Sequence, residues 1–448
     1  MNNYSPTAEI PVISPRRRRI IQAFETGTRL EFMMELYKMA DEDLTGFNIA
    51  PFGNHKHPRK SCLSTMINDR DSGDLSMLKI LMVLPDEIIK SLILNTIGSR
   101  YQLEPDFRDL FPQMDHSSGI CLNTILSGHH PGKGLTGQEW AAVVSKITTY
   151  VAGQGIMITG NSTNAEIEAA REASSIDNAY GDRPTLDKKK FEPYRGHRYW
   201  MNHGQITQMF CRELRNRSNQ TLDPSQTIRQ IQSPCEIGLS HDMQVRVKNH
   251  QPDSGLRNTV KIWGLVLSCL SVANINFTVV SIPVLKVWDR SLIGKAEILI
   301  TFLAGSSFDE GGFNASQPGA NRNLEFPERL RNEEIDVFHD NETFLDNLRE
   351  GEEHLSQNQN ILNKLKKFDI DVESHKLYDA KDNLRELKDT RREQSKLIET
   401  SSNRVENFDD SKIQDIKDAT HRIERRFQFA DKLDDWLNKT NPREKPGT

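Results

Sequence analysis

Residues between positions 235 and 314 have the types and spacing of a group that could act on a phosphate. Gly238 lies in a short apolar run, Arg246 follows eight residues later, and His250 stands one helical turn beyond it on the same face. Glu297 and Asn314 come later, Asn314 in a Gly-Gly-Phe-Asn turn. A guanidinium neutralises charge on a phosphate, and a carboxylate can hold a divalent metal ion that polarises it. The group therefore favours chemistry on a phosphodiester.

The elements that must position these residues can be predicted from the residue pattern. The run from Cys235 to Ser240 is typical of a short strand, and the segment from Asp242 to His250 is typical of a helix. A strand-like run covers Phe277 to Trp288, and Ala296-Glu297-Ile298-Leu299 belongs to a further helix. The segment 229–320 is therefore predicted to form an α/β core, and the chain as a whole belongs to the α+β class.

This order of residues resembles the GIY-YIG nuclease superfamily. In that family a strand bearing Tyr-Ile-Gly leads into a helix with an arginine at this spacing. A later helix supplies a metal-binding glutamate, and an asparagine follows. The resemblance implies that Gly238 is the glycine of the strand and that Arg246 is the catalytic arginine. It also implies that Glu297 binds a divalent metal, Mg or Mn, and that Asn314 is the asparagine of the motif.

The sequence departs from the family pattern at the tyrosines. Glu236 stands where the second tyrosine is expected, and no Gly-Ile-Tyr strand lies shortly before it. Tyr199 is a candidate for the first tyrosine, and His250 is a further catalytic candidate beside Arg246. Since a tyrosine would prepare the attacking water, two outcomes stay open. The chain either cleaves nucleic acid with a metal ion or keeps the fold and only binds DNA or RNA.

A basic and aromatic segment precedes the predicted core. It begins at Lys188 and continues through Trp200. Cations neutralise phosphates, and ring faces stack on bases. The candidate nucleic-acid-binding residues in this segment are Lys189, Lys190, Arg195, Arg198 and Trp200. A solvated loop whose aromatic side chains anchor it to the core fits the same residues, and the sequence leaves both interpretations open.

The composition restricts the partners and the compartment. The chain has 448 residues, 36% hydrophobic and 27% charged, and a net charge of −5, so that any nucleic-acid surface must be a local basic patch. The most apolar stretch, from Ile262 to Trp288, is interrupted by polar residues and a proline, which predicts no membrane span. No signal peptide is evident, and the five cysteines are scattered. These features predict an intracellular protein, either nuclear or cytoplasmic.

Changes in composition divide the chain into five predicted regions. A run of four arginines, Arg16 to Arg19, is either an import or phosphate-binding element or a solvated cluster before a helix. Helices are predicted from Pro85 to Gly98 and from Thr136 to Gly153, the latter with a capping box. The regions are a flexible basic arm (1–27), a mainly helical N-terminal region (28–158), a polar linker or insertion that carries the basic and aromatic segment (159–228), the GIY-YIG-like core (229–320) and a charged helical or coiled-coil tail (321–448).

The tail carries leucines at steps of three, four and seven residues among charged residues, and no proline occurs between Pro327 and Pro442. This pattern predicts long helices over residues 333–437, with bends near Gly351, at residues 369–371 and at residues 401–402. The buried stripe would pack against the tail itself, the body, another copy of the chain or a helical protein partner. It supports a second hypothesis for the whole protein, a non-enzymatic interaction or scaffold protein that oligomerises through a coiled-coil tail.

Overall fold

The structure is a computed structural model of the chain, and it describes most of the first 367 residues. The described residues are 14–46, 58–153, 156, 161–180, 199–200, 204–221, 223–256, 259–289, 291–316, 318–319 and 341–367, with the isolated positions 385–386, 388–390, 392–393 and 396.

Fourteen helices and three strands are defined within these residues, and three short 3-10 turns lie between them. In chain order the elements are α1 (Pro15–Thr26), α2 (Arg29–Thr45), α3 (Pro58–Asp71), α4 (Ser76–Met82), α5 (Asp86–Leu94), α6 (Ile97–Leu103), α7 (Pro105–Arg108), β1 (Gly119–Ser127), α8 (Gly137–Ala152), α9 (Asn164–Asp177), α10 (Gly204–Arg215), β2 (Cys235–Ser240), α11 (Met243–His250), α12 (Lys261–Val272), β3 (Phe277–Lys286), α13 (Ile293–Ala304) and α14 (Glu342–Lys367). The mixture of helices with a small sheet confirms the predicted α+β class.

The three strands form one antiparallel sheet in the order β2-β1-β3. The central strand β1 comes from the predicted helical N-terminal region, whereas β2 and β3 come from the predicted core. The segment 229–320 is therefore not a separate core, because its two strands are joined only through β1. Local patterns could not give this result, since pairing between distant strands depends on tertiary contacts.

Each face of the sheet covers a separate hydrophobic cluster. Side chains alternate between the faces, so Ile120 and Leu122 of β1 lie in the first cluster and Ile125 in the second. The first cluster contains the N-terminal helices and α13, and the second contains α8, α9, α10 and α12. The residues 28–158 and 229–320 thus share both clusters.

The predicted linker over 159–228 contributes two helices to the second cluster. Ala173 and Ile176 of α9 are buried, as are Phe210 and Leu214 of α10. The prediction of a polar linker is wrong for these two helices. Their apolar residues are few, but they recur on one face among polar ones, which is enough to bury one side of a helix. Residues 181–198 lie outside the described residues.

The arginine run lies at the start of α1, and three of its side chains bind groups on other elements of the protein. Arg17 is buried and donates hydrogen bonds to the carbonyls of Ile93 and Ala304, at the ends of α5 and α13. Arg16 and Arg19 form ion pairs with carboxylates of other elements. The prediction of a flexible arm is therefore wrong for Pro15–Thr26, and residues 1–13 lie outside the described residues. These arginines bind carbonyl groups at helix C-termini and carboxylates on other elements. A local sequence pattern does not reveal such partners.

The helix predictions are confirmed in part. α8 has the predicted capping box between Thr136 and Glu139. The predicted helix over 85–98 is divided, because Asn95 adopts a left-handed conformation with φ 56° and ends α5. Gly98 does not end a helix but lies within α6, where a Cβ would overlap the side chain of Thr124 on β1. The glycine permits a close approach of helix and strand.

The described part of the tail is α14 together with isolated positions between 385 and 396. This helix continues through Gly351 without a break, and one glycine costs only about 1 kcal/mol in a helix interior. The chain divides into two compact units, 1–356 and 357–448, and α14 begins in the first and ends in the second. The other predicted bends lie outside the described residues, as does most of 333–437. Among the described helices, none is long and apolar enough to cross a membrane.

Candidate functional site around strand β2

The face of β2 carries a buried ion pair that fits over a glycine. Nη2 of Arg246 on α11 donates a hydrogen bond of 2.8 Å to Oε1 of Glu236. A Cβ built on Gly238 would overlap the guanidinium. Glycine at 238 therefore leaves room for the arginine to cross the strand. This contact in the folded protein explains the spacing between Gly238 and Arg246 in the sequence.

Glu236 is fully buried, and a chain of polar side chains from β1 and β3 leads to it. Nδ2 of Asn123, its cross-strand partner on β1, donates to Oε2 at 2.7 Å, and Oγ of Ser281 on β3 donates to Oδ1 of Asn123 at 2.6 Å. Burial alone would raise the pKa of Glu236, but the charges of Arg246 and His250, together with hydrogen bonds from His250 and Asn123, lower the pKa to about 2. The sheet thus contains a permanent buried carboxylate.

His250, a predicted catalytic residue, belongs to the same network. Its ring is 1% exposed, with Nε2 at 3.5 Å from Oε2 of Glu236 and Nδ1 at 2.9 Å from the carbonyl oxygen of Arg246. Nε1 of Trp263 donates to its backbone carbonyl at 3.3 Å. The imidazole therefore lies deeper than the arginine and is positioned as a partner of Glu236.

The outer edge of β2 is closed by the asparagine of the motif. Oδ1 of Asn314 accepts from the amide N–H of Ile237 at 2.8 Å, and Nδ2 donates to the carbonyl of Ile237 at 2.6 Å. The neighbouring Phe313 amide donates to the carbonyl of Cys235 at 3.0 Å. An edge strand leaves such groups unpaired, and the side-chain amide replaces the missing strand. Asn314 therefore stabilises the edge of β2.

Glu297 on α13 also closes this edge. Its Oε1 accepts from the amide of Leu239 at 3.4 Å, and its Oε2 accepts from the amide of Gly319 at 2.5 Å. Burial raises the pKa of Glu297 to about 7, while these backbone N–H groups and the charge of Arg246 oppose the rise. The carboxylate is thus held by backbone donors in a poorly solvated position.

The carboxylate of Glu297 does not fit a metal ion as it stands. Both oxygens accept from backbone N–H groups, and a divalent metal needs several oxygen ligands directed at one point. Across the described part of the chain, no group of three or more His, Cys, Asp or Glu side chains is arranged to hold a metal. The Mg or Mn ion at Glu297 stays a prediction.

The basic and aromatic segment enters the structure only at its end. Trp200 is 2% exposed, and a Cβ on Gly264 of α12 would overlap its ring. The prediction that Trp200 stacks on nucleic-acid bases is wrong, since a base needs an accessible ring face and a ring that is 2% exposed offers none. The interpretation as a core anchor fits Trp200. Lys189, Lys190, Arg195 and Arg198 lie outside the described residues.

Tyr199, the candidate for the missing tyrosine, is part of the second hydrophobic cluster. Its ring makes an edge contact with Trp200 and lies 3.8 Å from Nζ of Lys261, and its amide donates to Asp177 of α9 at 3.2 Å. These contacts fix Tyr199 against α9 and α12. The other motif residues meet at β2, and they are Gly238, Arg246, Glu297 and Asn314. The structure gives it no role at the site.

Sequence reasoning missed Asn123 and Ser281, which complete the network around Glu236. Each is a single polar residue inside a strand-like apolar run, and this is the signal that could have identified them. In comparisons of the chain with family models, curated proteins and solved structures, nothing matches.

Proposed function

We propose that this chain is a nucleic-acid-binding protein built on a divergent GIY-YIG-like domain, and that Arg246 contacts the phosphate backbone. One observation carries the proposal. The four residues that support the resemblance, Gly238, Arg246, Glu297 and Asn314, come from separate elements and all contact strand β2 or the side chain that crosses it. A chance pattern of residues spread over 77 positions would have no reason to converge in this way.

Arg246 is the residue suited to a phosphate. Its side chain is 23% exposed, whereas its partner Glu236 is fully buried. Nη2 is bonded to Glu236, and the buried Nε has no hydrogen-bond partner in the structure. A guanidinium can bind two oxygens of one phosphate side by side. A phosphate that approaches from solvent would therefore share Arg246 with Glu236 or compete with it.

Binding without cleavage is the version of this function that we propose. Neither β1 nor β2 contains a tyrosine that could prepare a water molecule, and Glu236 replaces the one expected on β2. The carboxylate of Glu297 is held by backbone N–H groups. The groups needed for hydrolysis are thus either replaced or occupied, whereas the phosphate-binding arginine is retained.

The test compares two variants with opposite expected effects. Removal of the competing carboxylate by Glu236→Gln should strengthen binding, and Arg246→Ala should weaken it about tenfold, as expected for loss of a charge-assisted hydrogen bond. The measurement is fluorescence polarisation with labelled single-stranded RNA and labelled duplex DNA as probes, over a range of salt concentrations. Arg246→Ala should also lower the salt dependence, by a slope of about 1.

Arg100→Ala is the matched control. Arg100 is 26% exposed and pairs with carboxylates as Arg246 does, but it lies on α6. Its removal should leave probe binding unchanged. Weakening by Glu236→Gln as well as by Arg246→Ala would mean that the pair only supports the fold. Absence of binding by the parent to both probes, or cleavage of either probe in the presence of Mg or Mn, would overturn the proposal as stated.

A further inference from the structure

The contacts of the His250 ring fix the position of one of its hydrogens. Nδ1 lies 2.9 Å from the backbone carbonyl oxygen of Arg246, and a carbonyl only accepts, so Nδ1 carries a hydrogen. Nε2 is buried and faces Oε2 of Glu236 at 3.5 Å. A neutral ring would therefore turn a bare nitrogen toward a carboxylate, whereas the imidazolium would turn an N–H group toward it. The surroundings of the ring fit the charged form.

The charge of His250 changes how firmly Glu236 holds Arg246. Arg246 donates to Oε1 of Glu236 at 2.8 Å, whereas the ring of His250 faces Oε2. With the imidazolium present, one carboxylate lies between two cations and cannot neutralise both. With the neutral ring, the carboxylate and the guanidinium balance each other. Because opposite charges attract, a phosphate is drawn more strongly to the first arrangement.

The ionisable groups on the elements around α11 are neutral, exposed or separable from His250. On β1, burial raises the pKa of Cys121 to about 12, so that it remains a neutral thiol. Groups that reach solvent, where salt screens their charges, are Asp115, His116, Asp242, Lys248, Asp253 and Lys286. On α13, burial raises the pKa of Glu297 to about 7, and its charge acts on both Arg246 and Glu236. The titration of Glu297 must therefore be separated from that of His250 by substitution.

From the hydrogen on Nδ1 and the single carboxylate between two basic side chains, we infer that His250 is a positioning residue whose charge decides how readily Arg246 binds a phosphate. The imidazolium shares the negative charge of Glu236, and Arg246 can then turn toward the ligand. Loss of the ring proton returns Arg246 to Glu236. Histidine is the side chain that ordinarily changes charge between about pH 5 and pH 8. This inference rests on the proposed phosphate contact of Arg246, but the charge of the ring can be measured without a ligand.

The first measurement concerns the ring itself in the full chain. Exchange of the imidazole C2 hydrogen for deuterium, followed by mass spectrometry over a range of pH, reports the protonation of each histidine. The protonated fraction of His250 near pH 7 should fall in Glu236→Gln, because the carboxylate that favours the charged ring is gone. The exposed His129, in the turn after β1, should exchange equally in both chains. Equal protonation of His250 in both chains overturns the inference.

The second measurement is the binding of labelled single-stranded RNA at constant ionic strength. The parent should bind about tenfold more weakly at pH 8 than at pH 6. His250→Gln keeps an N–H donor but carries no charge, so it should lose most of this pH dependence and bind at pH 6 as the parent does at pH 8. A merely structural role of the ring would weaken binding equally at both pH values.

Two variants serve as controls for this pH dependence. His129→Gln removes an exposed histidine that contacts Asn276, and it should behave as the parent does. Glu297→Gln should keep most of the pH dependence, since His250 still titrates. Full pH dependence in His250→Gln, or its loss in Glu297→Gln, overturns the inference and leaves the proposed function standing. Absence of binding by the parent at every pH overturns the proposed function and this role of His250 with it.

Discussion

Two carboxylates in this protein, the half-buried Glu310 and the fully buried Glu236, are neutralised in different ways. Glu310, after α13, pairs with Arg16 at 2.7 Å and with Arg59 at 3.3 Å. Asp43 shares the same two arginines, at 3.0 Å and 2.7 Å. Glu236 has one arginine, Arg246 at 2.8 Å, and a histidine at 3.5 Å. The first arrangement is redundant, since each of its two acids keeps an arginine if one arginine is lost. The second depends on a single arginine.

The difference separates a structural cluster from a candidate binding site. Redundant pairing holds α1, α3 and the turn after α13 together and leaves little for a ligand to displace. At Glu236 the single arginine reaches solvent, so a ligand that draws the arginine away also changes the stability of the strand beneath it. A buried charge with one partner is expensive to uncover. The comparison therefore predicts unequal responses to the same substitution.

The largest expected effect is that of Arg246→Ala. It should lower the free energy of unfolding by about 3 to 5 kcal/mol, because it leaves the buried Glu236 carboxylate without its arginine. Arg16→Ala should cost only about 1 to 2 kcal/mol, since Asp43 and Glu310 both keep Arg59. Urea denaturation followed by circular dichroism measures both. Equal losses, or a larger loss for Arg16→Ala, would remove the distinction between the two clusters.

A change of pH should have a smaller effect on stability. It acts through a third carboxylate, Glu297, which accepts hydrogen bonds from backbone N–H groups. The pKa of Glu297 is raised from 4.5 to about 7 in the folded protein, so the folded state binds its proton more tightly than the unfolded state. Its contribution to stability is present below about pH 4.5 and is lost as pH rises through about 7, by about 3 kcal/mol in total. Glu236, with its pKa lowered to about 2, acts oppositely, and its contribution is lost as pH falls below 4.5.

Glu297→Gln should therefore remove the decline in stability between pH 4.5 and pH 7 and leave the loss on the acid side unchanged. The measurement is the free energy of unfolding across this range for the parent and the variant. If the stability of the parent and of the variant changed with pH in the same way, Glu297 would not be the group that titrates between pH 4.5 and pH 7. The contrast between Glu236 on the face of β2 and Glu297 at its edge would then fail.

The smallest expected effect is at Gly238. A methyl group at this position displaces the guanidinium of Arg246 from Glu236, so Gly238→Ala should cost about 1 to 2 kcal/mol. In a chain that already carries Arg246→Ala, the same change should be nearly neutral, because the side chain that it displaces is gone. Urea unfolding of the four chains of this double-mutant cycle measures the coupling. If Gly238→Ala lowered the free energy of unfolding equally with and without Arg246, its cost would not come from displacement of the guanidinium.

The sequence located the elements that meet at β2 better than it located the strand pairing around them. The short-range elements β2, α11 and α13 could be located because residue spacing reflects local geometry, and their motif residues do meet. The position of β1 between β2 and β3 could not be found, because nothing local in residues 119–127 indicates a partner more than a hundred residues away. The same limitation applies to Arg17, whose partners are backbone carbonyls of α5 and α13. Trp200 shows the converse error, since an aromatic residue among cations fits a base-stacking role and a core role equally well.

The central position of β1 also has a consequence for how the chain is made. Translation delivers β1 first, and its neighbours β2 and β3 follow only after long intervening segments. During that interval an apolar strand has two open edges, which is the condition under which nascent chains aggregate. The helices α1 to α6, already synthesised, can cover the face of β1 that carries Ile120 and Leu122. Pairings between such distant segments also slow folding. Because the N-terminal helices precede β1 along the chain, they can cover one face of this strand until β2 and β3 pair with it.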